Sequence, residues 1–292
     1  MQSAREAFAR LHAVAASDVA VGAQVSAFCG LVALSLARGD RVVCAEQDFT
    51  SVLFPLLAQE ARGVRVDLVP LELVADAIDS GTALVAVSAV QSADGRIADL
   101  DAIEAAAAAH GARTFIDATQ GCGWLQLDAS RFDYFACATY KWLLGPRGCA
   151  LMAVRPEAAD RLTPHLAGWF AAETPTASYG GPLRLATGAR RFDVSPAWFS
   201  WVGQAEALEM LERVGVAAIG EHDISLANRF RSGLGLEAGD SAIVSVPHDR
   251  AMAERLRAAR VMFSDHGDTL RFSFHLYTTE ADVERALEAI AG

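Results

Sequence analysis

Lysine is almost missing from this chain of 292 residues. Of its 25 lysines and arginines, 24 are arginine and one, Lys141, is lysine. The two side chains serve a solvated face almost equally well, but they differ as nucleophiles. A guanidinium stays protonated and cannot condense with an aldehyde, whereas a desolvated ammonium can lose its proton. A lone lysine in an arginine-rich chain is what remains where chemistry forbids the exchange at one position. Survival by chance is the competing reading.

Other absences narrow the class. Positive charge is scarce overall: the formal net charge is -11, which argues against a nucleic-acid footprint and against an anionic membrane surface as partner. No apolar run is long and clean enough to span a bilayer. The start, Met1 to Glu6, lacks the layout of a signal peptide. The five cysteines (Cys29, Cys44, Cys122, Cys137, Cys149) show no CxxC spacing and an odd count, so they read as reduced thiols, mostly in the core, of a cytoplasmic protein. Neither a dinucleotide fingerprint nor a P-loop is present, and nothing suggests a metal site.

Hydrophobic residues, by contrast, make up 52% of the chain, ample for a large core. Through the first 155 residues short β-rich runs alternate with helical stretches. Strands are expected at 41–44, 64–69, 83–88, 113–116, 132–136 and 149–154. Helices are expected at 51–61, 72–79 and 99–110, the last with an Asp N-cap and Gly111 at its end. This alternation predicts an α/β sheet covered on both faces. Residues 163–200, with Pro164, Pro175, Pro182 and Pro196, read as a long irregular connection, uncommon unless it lines a site or an interface. Helices at 201–214 and 216–232 follow. Then come a strand at 242–246, a helix at 249–259, strands near 261–263 and 270–274, and a last helix opened by a capping box at Thr279–Asp282. The expected division is a large α/β domain at 1–200 and a smaller α+β domain at 201–292.

Three segments carry chemistry. Gly22 precedes a helix expected to run to about Ala37, and the free N–H groups and positive dipole of a helix start suit a phosphate. Gln24 and Ser26 could add side-chain contacts, although any glycine before a helix looks similar. Asp117 directly follows a buried strand, at the sheet edge where α/β ligand sites lie, and a carboxylate there can hold a ring nitrogen protonated. An ordinary turn cap is the bland alternative. Lys141 sits between Tyr140 and Trp142, after a strand and before the turn Gly145-Pro146-Arg147-Gly148, where burial would free its amine.

A strand-end Asp, a Gln three positions on, a lysine 24 residues after the Asp and a Gly-Pro-x-Gly turn together resemble the class V aminotransferase family. This is the branch of fold-type I pyridoxal-phosphate (PLP) enzymes that contains cysteine desulfurases, kynureninases and related lyases. Residues 270–280, Leu-Arg-Phe-Ser-Phe-His-Leu-Tyr-Thr-Thr-Glu, resemble the family's C-terminal Arg-x-Ser-x-His-x-Tyr-Asn-Thr stretch, with Thr278 where Asn is usual. The resemblance covers nearly the whole chain. It implies a mostly parallel central sheet covered by helices, a smaller C-terminal domain, PLP as cofactor and an α-amino acid as substrate.

Residue by residue, the resemblance implies that Lys141 holds the cofactor as a Schiff base and shuttles the α-proton. Asp117 pairs with the ring nitrogen, and Gln120 and Gln91 approach the ring hydroxyl. Gly22, Ala23, Gln24 and Tyr140 bind the phosphate. Phe49 stacks on the ring, unless it is a core aromatic. Arg271 holds the substrate carboxylate, unless it pairs with Asp268 at the surface. Ser195 reaches the phosphate of a partner subunit, because family active sites lie at a homodimer interface. His275 and His110 are expected to be structural.

The family usually carries a further N-terminal segment over the active-site entrance, and this chain begins almost at the phosphate loop. That leaves room for a second reading, a catalytically inactive PLP-fold protein that binds or dimerises. No cysteine follows Cys149, which argues against persulfide formation on a mobile thiol; direct β-elimination needs no such thiol.

Overall fold

The β-rich runs assemble into one seven-stranded sheet whose strand ends converge on a single edge. The computed structural model describes every residue except 175, 177 and 178, so Pro175 of the irregular connection lies outside the described residues. The strands are β1 (Val19–Gly22), β2 (Arg41–Ala45), β3 (Arg65–Val69), β4 (Thr82–Ser88), β5 (Arg113–Asp117), β6 (Tyr134–Ala138) and β7 (Ala150–Val154), in the order β1-β7-β6-β5-β4-β2-β3. Strand β7 runs antiparallel to both neighbours, and every other pairing is parallel. Six strands therefore point the same way, and the carboxyl ends of β1, β2, β4, β5 and β6 share one edge.

Alternation along each strand feeds two cores. Val43, Val85, Val87, Ile116, Phe135 and Cys137 face one side, with Phe8, Trp124, Trp142 and Trp201 packed over them. Val42, Cys44, Leu84, Ala86, Phe115, Tyr134 and Ala136 face the other, under Phe28, Val32 and Leu56. Burial on both faces is what a parallel sheet requires. The helices are α1 (Gln2–Leu11), α2 (Val25–Ala33), α3 (Thr50–Leu57), α4 (Leu100–His110), α5 (Pro156–Ala159), α6 (Trp198–Val214), α7 (Val216–Gly233), α8 (Arg250–Ala258) and α9 (Glu280–Ala291). A smaller sheet, in the order β8 (Ile243–Pro247), β10 (Thr269–Ser273), β9 (Ser264–Asp265), has its own core around Phe230, Val244, Leu256, Phe272 and Val283. The capping box at Thr279 and Asp282 forms as the sequence indicates.

Several elements differ from expectation. The helix expected at 72–79 is a 3-10 turn, Leu71–Leu73, followed by further turns closed by Val74 N–H to Leu71 and Ile78 N–H to Ala75. Leu71, Val74 and Ile78 are buried, as a helical face would be, but only Ala77 N–H reaches back four residues, to Leu73, so no regular α-helix forms. The strand expected near 261–263 is displaced to Ser264–Asp265, the residues that find a partner in Leu270 and Arg271. Helix α2 stops at Ala33 instead of Ala37, and α6 begins at Trp198 instead of Trp201. Helix α1 and strand β1 were not anticipated.

Strand β1 lies at one end of the sheet, and two segments cover its outer side. The Asp193 carboxylate accepts the Val21 N–H at 2.8 Å, and Val194 N–H donates to the Val21 carbonyl at 3.2 Å. Arg5 of α1 donates to the Val19 carbonyl and pairs with Asp193 at 2.6 Å, both side chains being buried.

Candidate active site

The carboxyl edge of the large sheet holds a cavity of about 330 Å³, lined from several strand ends at once: Ala23 and Gln24 after β1, Phe49 after β2, Ser88 and Ser92 at the end of β4, Asp117 and Gln120 after β5, and Tyr140 and Lys141 after β6. A volume of this order suits a small cofactor or metabolite.

Asp117 is the last residue of β5 and is almost wholly buried. It accepts the Thr119 N–H at 2.9 Å. Burial pushes its carboxyl up to about 6; the Thr119 hydrogen bonds and the Lys141 charge oppose the rise, and Asp48 adds to it. Lys141 is half-buried across the cavity. Burial lowers its pKa, Asp117 pulls it back up, and Arg271 and Arg147 push it further down. Its Nζ lies 5.2 Å from the centre of the Phe49 ring. Phe49 is 42% exposed, so it is not a core aromatic, and its ring forms part of the cavity wall.

No side chain caps α2 at Gln24. The first-turn residues Val25 and Ser26 line the same cavity, which brings backbone N–H donors to it. Gly22 ends β1 and lies just outside this cavity, on a small apolar one next to it. A Cβ there would stand 2.6 Å from the Phe28 ring, so glycine lets α2 pack onto the strand end.

Gln120 is fixed at both ends of its amide, donating to Ser92 Oγ at 2.8 Å and accepting from Trp142 Nε1 at 2.9 Å. The Arg271 guanidinium donates to the Ser92 carbonyl, to Ser92 Oγ at 3.0 Å and to Ser264 Oγ at 3.1 Å. Its Nε is buried without a partner, and no ion pair with Asp268 occurs among the described residues. Strand β10 thus reaches the cavity wall through Ser92.

Lysine amine, buried carboxylate, aromatic wall and helix start are the groups a phosphorylated pyridine aldehyde requires. The family model for class V aminotransferases matches residues 1–252.

The chain belongs to the class V aminotransferase family.

Among relatives, the uncharacterised aminotransferase YcbU of Bacillus subtilis is 31% identical over 309 residues, covering 99% of this chain and 82% of that protein. The kynureninase of Deinococcus radiodurans is 30% identical over 303 residues, covering 94% and 74%. Among solved structures, the cystine C-S lyase C-DES in complex with its product cysteine persulfide superposes with a TM-score of 0.90 at 23% identity, over 99% of this chain and 85% of that one, a likeness of fold. As a member of the class V family the chain is a PLP-dependent enzyme of aminotransferase or lyase type acting on amino acids.

The structure does not bring every sequence candidate to the cavity. Gln91 is buried, its amide donating to the Ser88 carbonyl at 3.3 Å, and it is absent from the lining. Ser195 is exposed and also outside the lining. His275 stacks between Trp142 and Tyr277, 4.9 Å from each ring, and its Nδ1 accepts the Leu276 N–H. Other residues in or beside the site escaped the sequence reading. Asp48 is buried behind Phe49 and accepts the Phe49 and Ser88 N–H groups, each at 2.6 Å. Ser92 joins Arg271 to Gln120, and Arg147 lines the cavity beside Tyr140. The rule that found Asp117, a carboxylate at the end of a buried strand, points to Glu46 after β2, which is exposed; the buried Asp48 lies two residues further on.

Proposed function

We propose that this enzyme removes the α-proton of an α-amino acid, with Lys141 as the group that both holds the cofactor and moves the proton. The observation that carries this reading is the placement of the chain's only lysine, half-buried and with a lowered pKa, in one cavity with Asp117 and Phe49. PLP, when bound, supplies an aldehyde that condenses with amines and a ring that accepts electrons from the α-carbon.

The chain's own residues do the rest. Lys141 Nζ would hold the cofactor through its aldehyde carbon and would be the base placed to take the α-proton. The Asp117 carboxylate would pair with the ring nitrogen, and Phe49 would pack against the ring. Gln120, held by Ser92 and Trp142, would offer its second amide N–H to the ring hydroxyl. Ala23, Gln24, the first turn of α2 and Tyr140 hold the phosphate, with Gly22 shaping the loop. The Arg271 fork, released from Ser92, takes the α-carboxylate. Every residue of the cavity lining lies below residue 200, which supports 1–200 as the cofactor-binding part and 201–292 as the part that brings Arg271.

The test is proton exchange in deuterated water. With PLP and a panel of amino acids, at least one should exchange its α-hydrogen. Keto-acid, sulfide and ammonia assays then separate amino transfer from β-elimination. A colourless protein that exchanges none of them, with PLP supplied, returns the chain to the inactive binding or dimerisation reading.

We also propose a homodimer. Phe199, Leu183 and Val202 are 94, 79 and 68% exposed, and Trp169, Phe170 and Trp198 meet edge to face beside them in sequence. So much exposed apolar surface on the connection and the first turns of α6 suits a subunit contact, and Ser195 lies between them. Light scattering should give twice the protomer mass, and Phe199→Glu should shift it toward one; a protomer mass for the parent protein removes the proposal. Five buried, unbridged cysteines support a cytoplasmic location, and no described helix is long and apolar enough to cross a membrane.

A further inference from the structure

Strand β7 begins between the two halves of the site. Ala150 is paired with Gly22 on one side and with Ala138 on the other. The residues leading into it therefore overhang the gap between Ala23–Gln24 and Tyr140–Lys141. Arg147 and Gly148 occupy that position, and both line the cavity.

The backbone of Arg147 is pinned. Ser200 Oγ on α6 donates to its carbonyl at 2.9 Å, and Gly148 takes a φ of +92° that a side-chain-bearing residue would resist. The Arg147 guanidinium lies 4.3 Å over the Tyr140 ring, a cation-π contact that holds it at the cavity wall. Arg5, Arg41 and Arg131 each hold a carboxylate; Arg147 holds none among the described residues. An unpaired guanidinium, planar and always charged, is a fork for an anion.

We propose that Arg147 is a ligand of the cofactor's phosphate, an inference that rests on reading the cavity as a PLP site. Two features select the phosphate over the substrate. The α2 N-terminus, the cavity's other anion-attracting element, follows β1, the strand paired with β7. Asp117, the carboxylate that attracts the cationic end of the ring, is two strands further along, about 10 Å at the usual strand spacing. The positive end of the cavity thus lies where the phosphate goes. Arg271 is attached to Ser92, beyond Asp117 in strand order, and is the cation left for the substrate carboxylate.

The experiment is a pair of absorbance titrations, with PLP and with pyridoxal, which has the same aldehyde and no phosphate. Bonding to Lys141, and the hemiacetal that free pyridoxal forms, are the same for parent and variant, so both cancel when each ligand's affinity is compared between the two proteins. Arg147→Gln should weaken PLP about tenfold or more, leave pyridoxal within about twofold, and be partly rescued by Arg147→Lys. The side chain is exposed, so a folded variant is expected, and circular dichroism verifies it. Equal weakening of both ligands, or of neither, overturns the assignment. So does an unchanged PLP affinity with a raised KM for amino acids bearing an acidic side chain, which would give Arg147 to the substrate. If the parent protein binds neither PLP nor pyridoxal, the cofactor reading itself fails, and this outcome is separate from the others.

Discussion

Lys141→Arg should leave the fold and the local charge intact and lower α-proton exchange by about 10³-fold or more. General acid–base transfer alone contributes roughly 10²–10⁴-fold, and the variant also loses its bond to the cofactor. Arginine keeps a cation opposite Asp117, so the buried carboxylate is not left alone. What it cannot do is release a proton near neutral pH or condense with an aldehyde. Burial already pushes the Lys141 amine toward its free form, an adjustment that a guanidinium cannot make usefully. No neighbouring lysine can substitute, because the sequence has no other. Borohydride should therefore fix the cofactor to one peptide of the parent protein, the one containing Lys141, and to no lysine of the variant. A variant that keeps more than about a tenth of the parent's exchange would show that another group moves the proton, and the proposed role of Lys141 would be lost.

The features legible in sequence are those written within a few residues. Asp117 follows Thr114, Phe115 and Ile116, three residues of high β-propensity, and a strand end in an α/β sheet is a ligand edge wherever the other strands lie. Lys141 was conspicuous by composition, and the turn at 145–148 fixes how the chain returns. The Thr279 capping box needs only four consecutive residues. What escaped depends on contacts distant in sequence. Ser92 matters because Arg271 comes to it across 179 residues, and nothing around Ser92 announces that. Arg147 lines the same cavity as Gln24 because β7 pairs with β1, a pairing between residues more than a hundred positions apart. Strand β1 is only four residues long and carries no polar alternation because both faces are covered. The segment 71–78 has helical spacing, yet its turns close on the third residue as well as the fourth, so no regular α-helix forms. Gln91 stands three residues from Ser88, and its amide turns back to that backbone instead of reaching the cavity.

Arg5→Ala should cost about 3–5 kcal/mol of stability, the usual loss when one partner of a buried ion pair is removed. The Arg5 and Asp193 side chains are 6% and 0% exposed, so water cannot replace the guanidinium. Asp193 keeps the Val21 N–H as its one remaining donor at 2.8 Å, and the Val19 carbonyl loses its donor altogether. The deficit should depend on pH. Burial already raises the Asp193 pKa, and Arg5 is the largest influence holding it down. Without Arg5 the folded-state pKa rises further above the unfolded value. A group so shifted gives stability below the unfolded pKa and loses it as pH rises through the folded one. The variant should therefore fall further behind the parent at pH 8 than at pH 5 in urea titrations. Because Val21 leads directly into Gly22–Gln24, the same variant should also bind PLP more weakly than the parent at a temperature where both are folded. A loss under about 1 kcal/mol, equal at both pH values, would mean that β1 is held by its pairing with β7 alone and that the phosphate loop does not depend on the buried pair behind it.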